Sequence, residues 1–288
     1  MISRKLNFTA RSLFIILISA VISVACTSKK AIVEQTTVID PETYLIAGKN
    51  FSQLQVDNIG NIFMVKNNRV LHKYDSEGKL INTYDIESGG FIHSVDALNP
   101  LYILIYYRDA GRVVLLDRNL ALLNEITISD WSQNDLTAVC LSNDNNLWIY
   151  DNTERKLKKY SRNGQLITES MDLYGITSLN TTVNNMLEHS NSVFLRNEES
   201  TLIVMDNLGQ YKADKSISVG FPMAKRRGQL CGPIHTNYSC IRLDDNPFQQ
   251  VIPVEKLHND HQESFLFKFE LYQILPSGLL KSALITKR

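Results

Sequence analysis

From residue 44 onward, short apolar runs alternate with brief polar breaks, and no stretch sustains a helical period of 3.6 residues. Runs such as "NIFMV", "LYILIYY", "NLWIYD" and "SVFLR" are rich in Ile, Leu, Val and aromatic residues, with Asn, Asp, Ser and Gly between them. Runs of that length suit strands, and those breaks carry the residues of tight turns. The pattern predicts an all-β protein.

Two phrases recur along this pattern. The first is "LHKYDSEGKLI" at 71–81, which returns as "RVVLLDRNLALL", "LKKYSRNGQLI" and "TLIVMDNLGQY"; its anchors Asp75, Asp117, Ser161 and Asp206 stand 42, 44 and 45 residues apart. The second lies about a dozen residues upstream, as "VDNIGNIFMV", "VDALNPLYIL", "LSNDNNLWIY" and "LEHSNSVFLR". There a polar turn leads into an apolar run carrying Phe63, Tyr102, Trp148 or Phe194. Asp57, Asp96, Asn143 and Glu188 mark it at spacings of 39, 47 and 45. Two markers keeping one period of about 44, with four short strands per unit, are the signature of a β-propeller. A four-stranded sheet cannot bury both apolar faces alone, and radial stacking covers each face with the next blade. A β-sandwich of hairpins is the alternative, but its links are unequal. Residues 44–288 give room for six blades, with five still open, and the strand near residue 47 is expected to close the ring by joining the last blade.

The hairpin "DNIGN" leading into an aromatic strand, followed by "YDSEGKL", resembles the NHL-type and related six-bladed propellers. The resemblance is clearest over 51–215. It weakens in "FPMAKRRGQLCGPIHTNYSCIRLDDNPFQQ" and returns in "LYQILPSGLLKSALI", where Gly278 matches Gly78 and Gly164. In propeller lactonases of similar architecture a central calcium is held by Glu, Asn and Asp. That resemblance makes Asp57, Asp96, Asn143 and Glu188 weak metal candidates, although hard oxygen ligands at a turn are equally explained by turn hydrogen bonding.

The start of the chain sets a compartment. Arg4, Lys5 and Arg11 precede an apolar run that ends at Ala25, directly before Cys26. The run suits a signal peptide and is short for a membrane span. It resembles a bacterial lipoprotein signal, although Ser23 stands where such signals usually carry Leu. The resemblance implies cleavage before Cys26 and lipidation of its thiol, and Thr27 in place of Asp favours the outer membrane. The expected organisation is a signal peptide at 1–25, a lipidated N-terminus and polar tether at 26–43, and the propeller at 44–288.

Thirty basic and thirty acidic residues cancel, so no nucleic-acid footprint is visible. Beyond residue 25 there is no nucleophile elbow, zincin helix, phosphate loop or CxxC pair. Cys231 and Cys240 bracket "GPIHTNYS", a segment able to fold back as a hairpin, which makes them a candidate disulfide; Cys140 reads as a core residue. The cluster "KRR" with Gln229, and the polar stretch "HNDHQE", interrupt the repeat. Arg226, Arg227, Gln229 and Asp260 are therefore the candidate partner surface. Trp131 reads as packing beneath a loop between blades. The expected function is a non-enzymatic interaction scaffold or ligand-binding module, facing the periplasm and lipid-anchored, with a protein partner in the envelope and no cofactor or catalytic residue assigned. The alternative is a metal-dependent hydrolase or lyase of the propeller type.

Overall fold

The computed structural model describes residues 44–85, 90–132, 134–175, 182–189, 191–197, 201–216, 224–226, 229–234, 237–242, 249–252, 257–258 and 260–283; between 215 and 252 the description covers the backbone and Cys231. The first sheet contains β2 (Phe51–Val56), β3 (Ile62–Lys66), β4 (Val70–Tyr74) and β5 (Leu80–Tyr84), preceded by the short β1 (Ile46–Ala47). The second holds β6 (Ser94–Asp96), β7 (Ile103–Tyr107), β8 (Arg112–Leu116) and β9 (Leu122–Thr127). The third holds β10 (Leu136–Leu141), β11 (Leu147–Asp151), β12 (Lys156–Tyr160) and β13 (Leu166–Glu169). The fourth holds β14 (Val183–His189), β15 (Ser192–Asn197), β16 (Thr201–Asp206) and β17 (Tyr211–Ser216). The fifth holds β18 (Ala224–Arg226), β19 (Gln229–Ile234), β20 (Asn237–Arg242) and β21 (Gln249–Ile252). Finally come β22 (Glu263–Phe267), β23 (Glu270–Leu275) and β24 (Gly278–Ala283).

Among the described residues, pairing is antiparallel throughout and makes six four-stranded sheets. Five are sequential meanders. The sixth takes its outer strand from the start of the domain, because β1 pairs with β24 through Ile46–Leu279 and Ala47–Gly278. The ring is thus closed by its own N-terminal strand, as the pattern predicted.

The second strand of each regular blade shows why the sheets stack radially. Its side chains alternate between two cores. Ile62 and Met64 pack with Phe265, Tyr272 and Ile274 of the last sheet, whereas Phe63 and Val65 pack with Ile103, Ile105 and Tyr107 of the next. Leu104 and Tyr106 join Leu147 and Ile149, while Trp148 and Tyr150 join Val193 and Leu195. Both faces are apolar because both are covered, which is why these runs lack a polar alternation. Burying one such side chain stabilises by about 1.5–3 kcal/mol. This is a β-propeller. Phe63, Trp148 and Phe194 are buried as the inter-blade aromatics, but Tyr102 falls one residue short of β7 and is only partly covered.

The repeated polar anchors cap the turn before each outer strand. Asp75 accepts the backbone N–H of Glu77 and Lys79 (3.0 and 2.8 Å), Asp117 those of Asn119 and Ala121 (2.7 and 2.8 Å), and Asp206 those of Leu208 and Gln210 (2.9 and 2.7 Å). Ser161 accepts Gln165 N–H through Oγ at 3.1 Å. Gly78, Gly164 and Gly209 all take φ near +82° in these turns, and Leu120 takes +61° at the matching position, where its side chain reaches the core between the first two blades. Gly278 differs from the expectation. It lies in the hairpin between the second and third strands of the last blade, and a Cβ there would collide with the Ile46 carbonyl of β1. It is glycine because the closing strand passes so near.

Candidate functional site

The innermost strands line a cavity of about 280 Å³ along the ring axis. Its walls come from β2 (Gln53, Leu54, Gln55), β6 with its preceding residue (His93, Ser94, Val95, Asp96), β10 (Ala138, Val139) and β14 (Asn184 to Leu187), with Glu263 at the start of β22. Most of the polar residues stand where these strands begin. That end of the ring, called the cavity end, also carries the hairpins between second and third strands and the links from blade to blade. The opposite end, the turn end, carries the turns before the second and fourth strands.

Three of the inner strands are bulged near their start. The pairing register slips between Ser52 and Gln55, between Leu136 and Ala138, and between Val183 and Asn185. Bulges re-aim side chains and break even alternation. At the first of them Gln53 takes φ +57°, an unusual conformation for a residue with a side chain. Its surroundings hold it there. The Glu263 carboxylate accepts Gln53 N–H and Leu54 N–H, both at 2.8 Å, and the Gln53 amide donates to the carbonyls of Ile92 (3.2 Å) and His93 (2.8 Å).

Similar clasps link the neighbouring blades around the axis. Gln55 donates to Val95 O and accepts Ala97 N–H at 2.8 Å; Asp96 accepts Leu141 N–H at 3.1 Å; Thr137 Oγ1 donates to Val183 O at 2.5 Å. Glu188 is the most heavily engaged. It accepts Ser142 Oγ at 2.6 Å, Asn143 N–H at 3.2 Å, Asn143 Nδ2 at 3.0 Å and the Trp148 indole at 2.7 Å.

The four metal candidates therefore have other occupations. Asp57 is buried and caps its own turn, accepting N–H groups of Ile59, Gly60 and Asn61 at 3.0, 2.8 and 2.8 Å. Asp96 lies on the cavity and bridges to β10, whereas Asn143 and Glu188 bind each other across a blade boundary. Among the described residues no group of three or more His, Cys, Asp or Glu is arranged to hold a metal. Cys231 is buried and disulfide-bonded, and Cys240 lies directly opposite it in the register of β19 and β20. Arg226 and Gln229 oppose each other across the β18–β19 hairpin, and Asp260 is exposed. Arg227 and the candidate lipidation residue Cys26 lie outside the described residues. Trp131 is half-buried and stacks on Tyr160 at 5.1 Å, consistent with packing beneath its loop.

Sequence reasoning missed Gln53, Gln55, His93, Asn184, Asn185 and Glu263. The usable signal was polar residues within otherwise buried strands, as in "FSQLQV" and "VNNMLEH". Apart from the Glu263 carboxylate, the chemistry they offer is uncharged. The carboxylates of Glu263 and Asp96 already serve as acceptors of backbone N–H. Burial and the Arg108 charge push the His93 imidazole below its ordinary pKa, against a Thr137 hydrogen bond and the Asp109 charge, so it is neutral at pH 7. Asn184 and Asn185 bond to each other at 3.3 Å and to no other described side chain.

No family model and no curated protein matches the chain. Solved structures do. A catalytically inactive virginiamycin B lyase from Staphylococcus aureus, with quinupristin, superposes with a TM-score of 0.55 at 12% identity, covering 83% of this chain and 82% of that one. A streptogramin B lyase gives 0.54 at 9% identity over 86% and 87%, and a chain of the mitotic checkpoint complex 0.53 at 11% over 82% and 75%. At such identities these likenesses support the propeller fold and nothing finer.

Proposed function

We propose that this protein is a non-enzymatic binding module of the cell envelope, anchored through Cys26 to the outer membrane on its periplasmic side, whose cavity end takes up an uncharged, hydrogen-bonding ligand. A saccharide or the backbone of a peptide from a protein partner has that chemistry. One observation carries the reading: a bulged axial cavity whose remaining polar groups are amides, a hydroxyl and a neutral imidazole. Such a lining selects by hydrogen-bond geometry, while the apolar Leu54, Val95 and Met186 supply contact area. The lipoprotein-like start supports the tether, and the Asx-x-x-Gly phrasing supports a place beside NHL-type propellers.

Titration calorimetry with panels of neutral oligosaccharides and uncharged peptides tests this. Asn185→Trp fills the cavity from β14 and should weaken binding by about tenfold or more at an unchanged melting temperature. Undiminished binding in that variant would remove the cavity from the proposal. The hydrolase or lyase alternative draws on His93, Asp96 and Glu263, which line the same cavity; a turnover abolished by a chelator would favour it.

A further inference from the structure

Three apolar residues crown adjacent blades at the turn end. Phe269, Ile59 and Leu101 each occupy the turn joining the two innermost strands, on the last, first and second blades. Ile59 is 69% exposed and Leu101 59%. The turn itself does not ask for them, since the matching turn of the third blade reads Asn143-Asp144-Asn145-Asn146. Leu80 and Ile81, which open β5, are exposed as well, as are Leu122 and Leu123 in β9 and Leu166 and Ile167 in β13 at the same place on the next two blades. Cations stand beside these residues: Lys79 precedes Leu80, Lys268 precedes Phe269, and Arg118 lies in the capped turn of the second blade, all three exposed. The acids nearby are Asp57, Asp75 and Asp117, whose carboxylates cap backbone N–H groups, Glu270, which pairs with Lys281 at 2.8 Å, and the exposed Glu77. Apolar tips flanked by Lys and Arg suit a bilayer interface, where apolar groups sink and cationic heads stay wet. Phe91, Met171 and Tyr174 are exposed at the cavity end, but on separate links, and the Arg155 guanidinium covers the Tyr174 ring at 4.6 Å.

The path of the chain selects the occupant of this surface. β1 runs antiparallel to β24, so the chain reaches the ring heading from the turn end toward the cavity end. Leu45 lies against the capped turn of the first blade, so close that a Cβ on Gly78 would stand 2.5 Å from its carbonyl oxygen. The domain is therefore joined between the last and first blades, two of the three that carry the apolar tips. Between Cys26 and Tyr44 lie 17 residues, which span at most about 60 Å when fully extended.

We infer that this sector of the turn end rests on the lipid leaflet holding the Cys26 anchor, so that the cavity end faces away from the bilayer. The inference builds on the lipoprotein reading of Cys26. An acyl anchor and an apolar patch with basic neighbours are two weak membrane signals that reinforce each other.

The test uses the full chain in intact cells, with a diazirine amino acid in place of Ile59, Leu101 or Phe269. Asn67, Arg108 and Asn152, in hairpins of the cavity end, serve as controls. Adducts are sorted by mass into lipid and protein. Lipid adducts from the three tips should exceed those from the controls several-fold. Protein adducts in their place, or equal lipid yields from both ends, overturn the inference. The Cys26 peptide of the same preparation is read for acyl mass, so a missing anchor is scored separately. Tips that label lipid without that anchor still support the surface.

Discussion

The two ends of the ring use polar residues in opposite ways. At the turn end Asp57, Asp75, Asp117 and Asp206 each spend an oxygen on two or more backbone N–H groups of their own turn. At the cavity end Gln53 and Glu263 reach across blade boundaries instead, over a bulged strand of irregular register. A turn cap is local, so it recurs whenever the blade recurs. A cross-blade clasp depends on residues about 40 or about 210 apart in sequence, and repetition leaves no trace of it. The end that looks conspicuous in the sequence is the one that closes turns. The end able to bind is where the repeat loses its regularity.

Removing Glu188 should break this contrast most severely. It clasps the third and fourth blades at the turn end, and Glu188→Ala strands the buried Ser142 hydroxyl and Trp148 indole, while the exposed Asn143 turns to water. A buried donor left unsatisfied costs about 1–3 kcal/mol, so the variant should lose at least about 2 kcal/mol by urea unfolding. Asn185→Ala at the cavity wall should stay within about 0.5 kcal/mol. Similar losses from both would mean that the cavity amides are structural as well.

The same case shows what the sequence could disclose. The spacing of Asp75, Asp117, Ser161 and Asp206 was legible because one side-chain oxygen must sit at one offset from the turn it caps. Ring closure by the strand at Ile46 was legible from an apolar run left over before the first blade. Glu188 stands in the phrase where Asp57 does, and nothing local in the sequence reveals the indole it binds in the preceding blade. Gly278 was matched to Gly78 because both follow a strand-like run, whereas the approach of β1 depends on closure. The bulges hid the cavity, since one extra residue moves every later side chain to the other face.

A smaller effect is expected in the fifth blade, which lacks the capped-turn phrase altogether. Its disulfide-bonded Cys231 stands directly opposite Cys240 across β19 and β20, and a bond between the two would close a short loop. A closed loop of this size contributes roughly 2–3 kcal/mol in the chain-entropy model. Thiol labelling of the processed protein, unfolded without reductant, should reach Cys140 and leave Cys231 and Cys240 unlabelled. Labelling at all three would refute the pairing. After reduction, the midpoint of urea unfolding should fall while Asn185→Trp continues to act on ligand binding alone.

The smallest effect should separate the two ends by pH. Burial, followed by the charges of Arg108 for His93 and Lys66 for His72, lowers both imidazoles below the ordinary 6.5. His93 lines the cavity, and His72 stands in the middle of β4. A base whose pKa falls on folding takes its proton first in the unfolded chain, so stability should decline as pH drops below about 6.5. Asp144, at the turn end, behaves in the opposite sense. Partial burial works against its charge, but hydrogen bonds from Lys159, Ser142 and Asn146 outweigh it and hold the carboxyl at about 2, below its ordinary 3.8. Its contribution is therefore complete above about pH 4 and is lost as pH falls through about 2. The Asp144 side chain is 53% exposed, with Lys159 at 2.7 Å, so solvent screening should keep that contribution under about 1 kcal/mol. Urea midpoints followed from neutral to acid pH should show an upper step, removed by the paired changes His93→Gln and His72→Gln, and a lower one, reduced by Asp144→Asn. If the paired histidine variant keeps the upper step, the groups responsible lie elsewhere, and the cavity end loses its claim to a neutral imidazole.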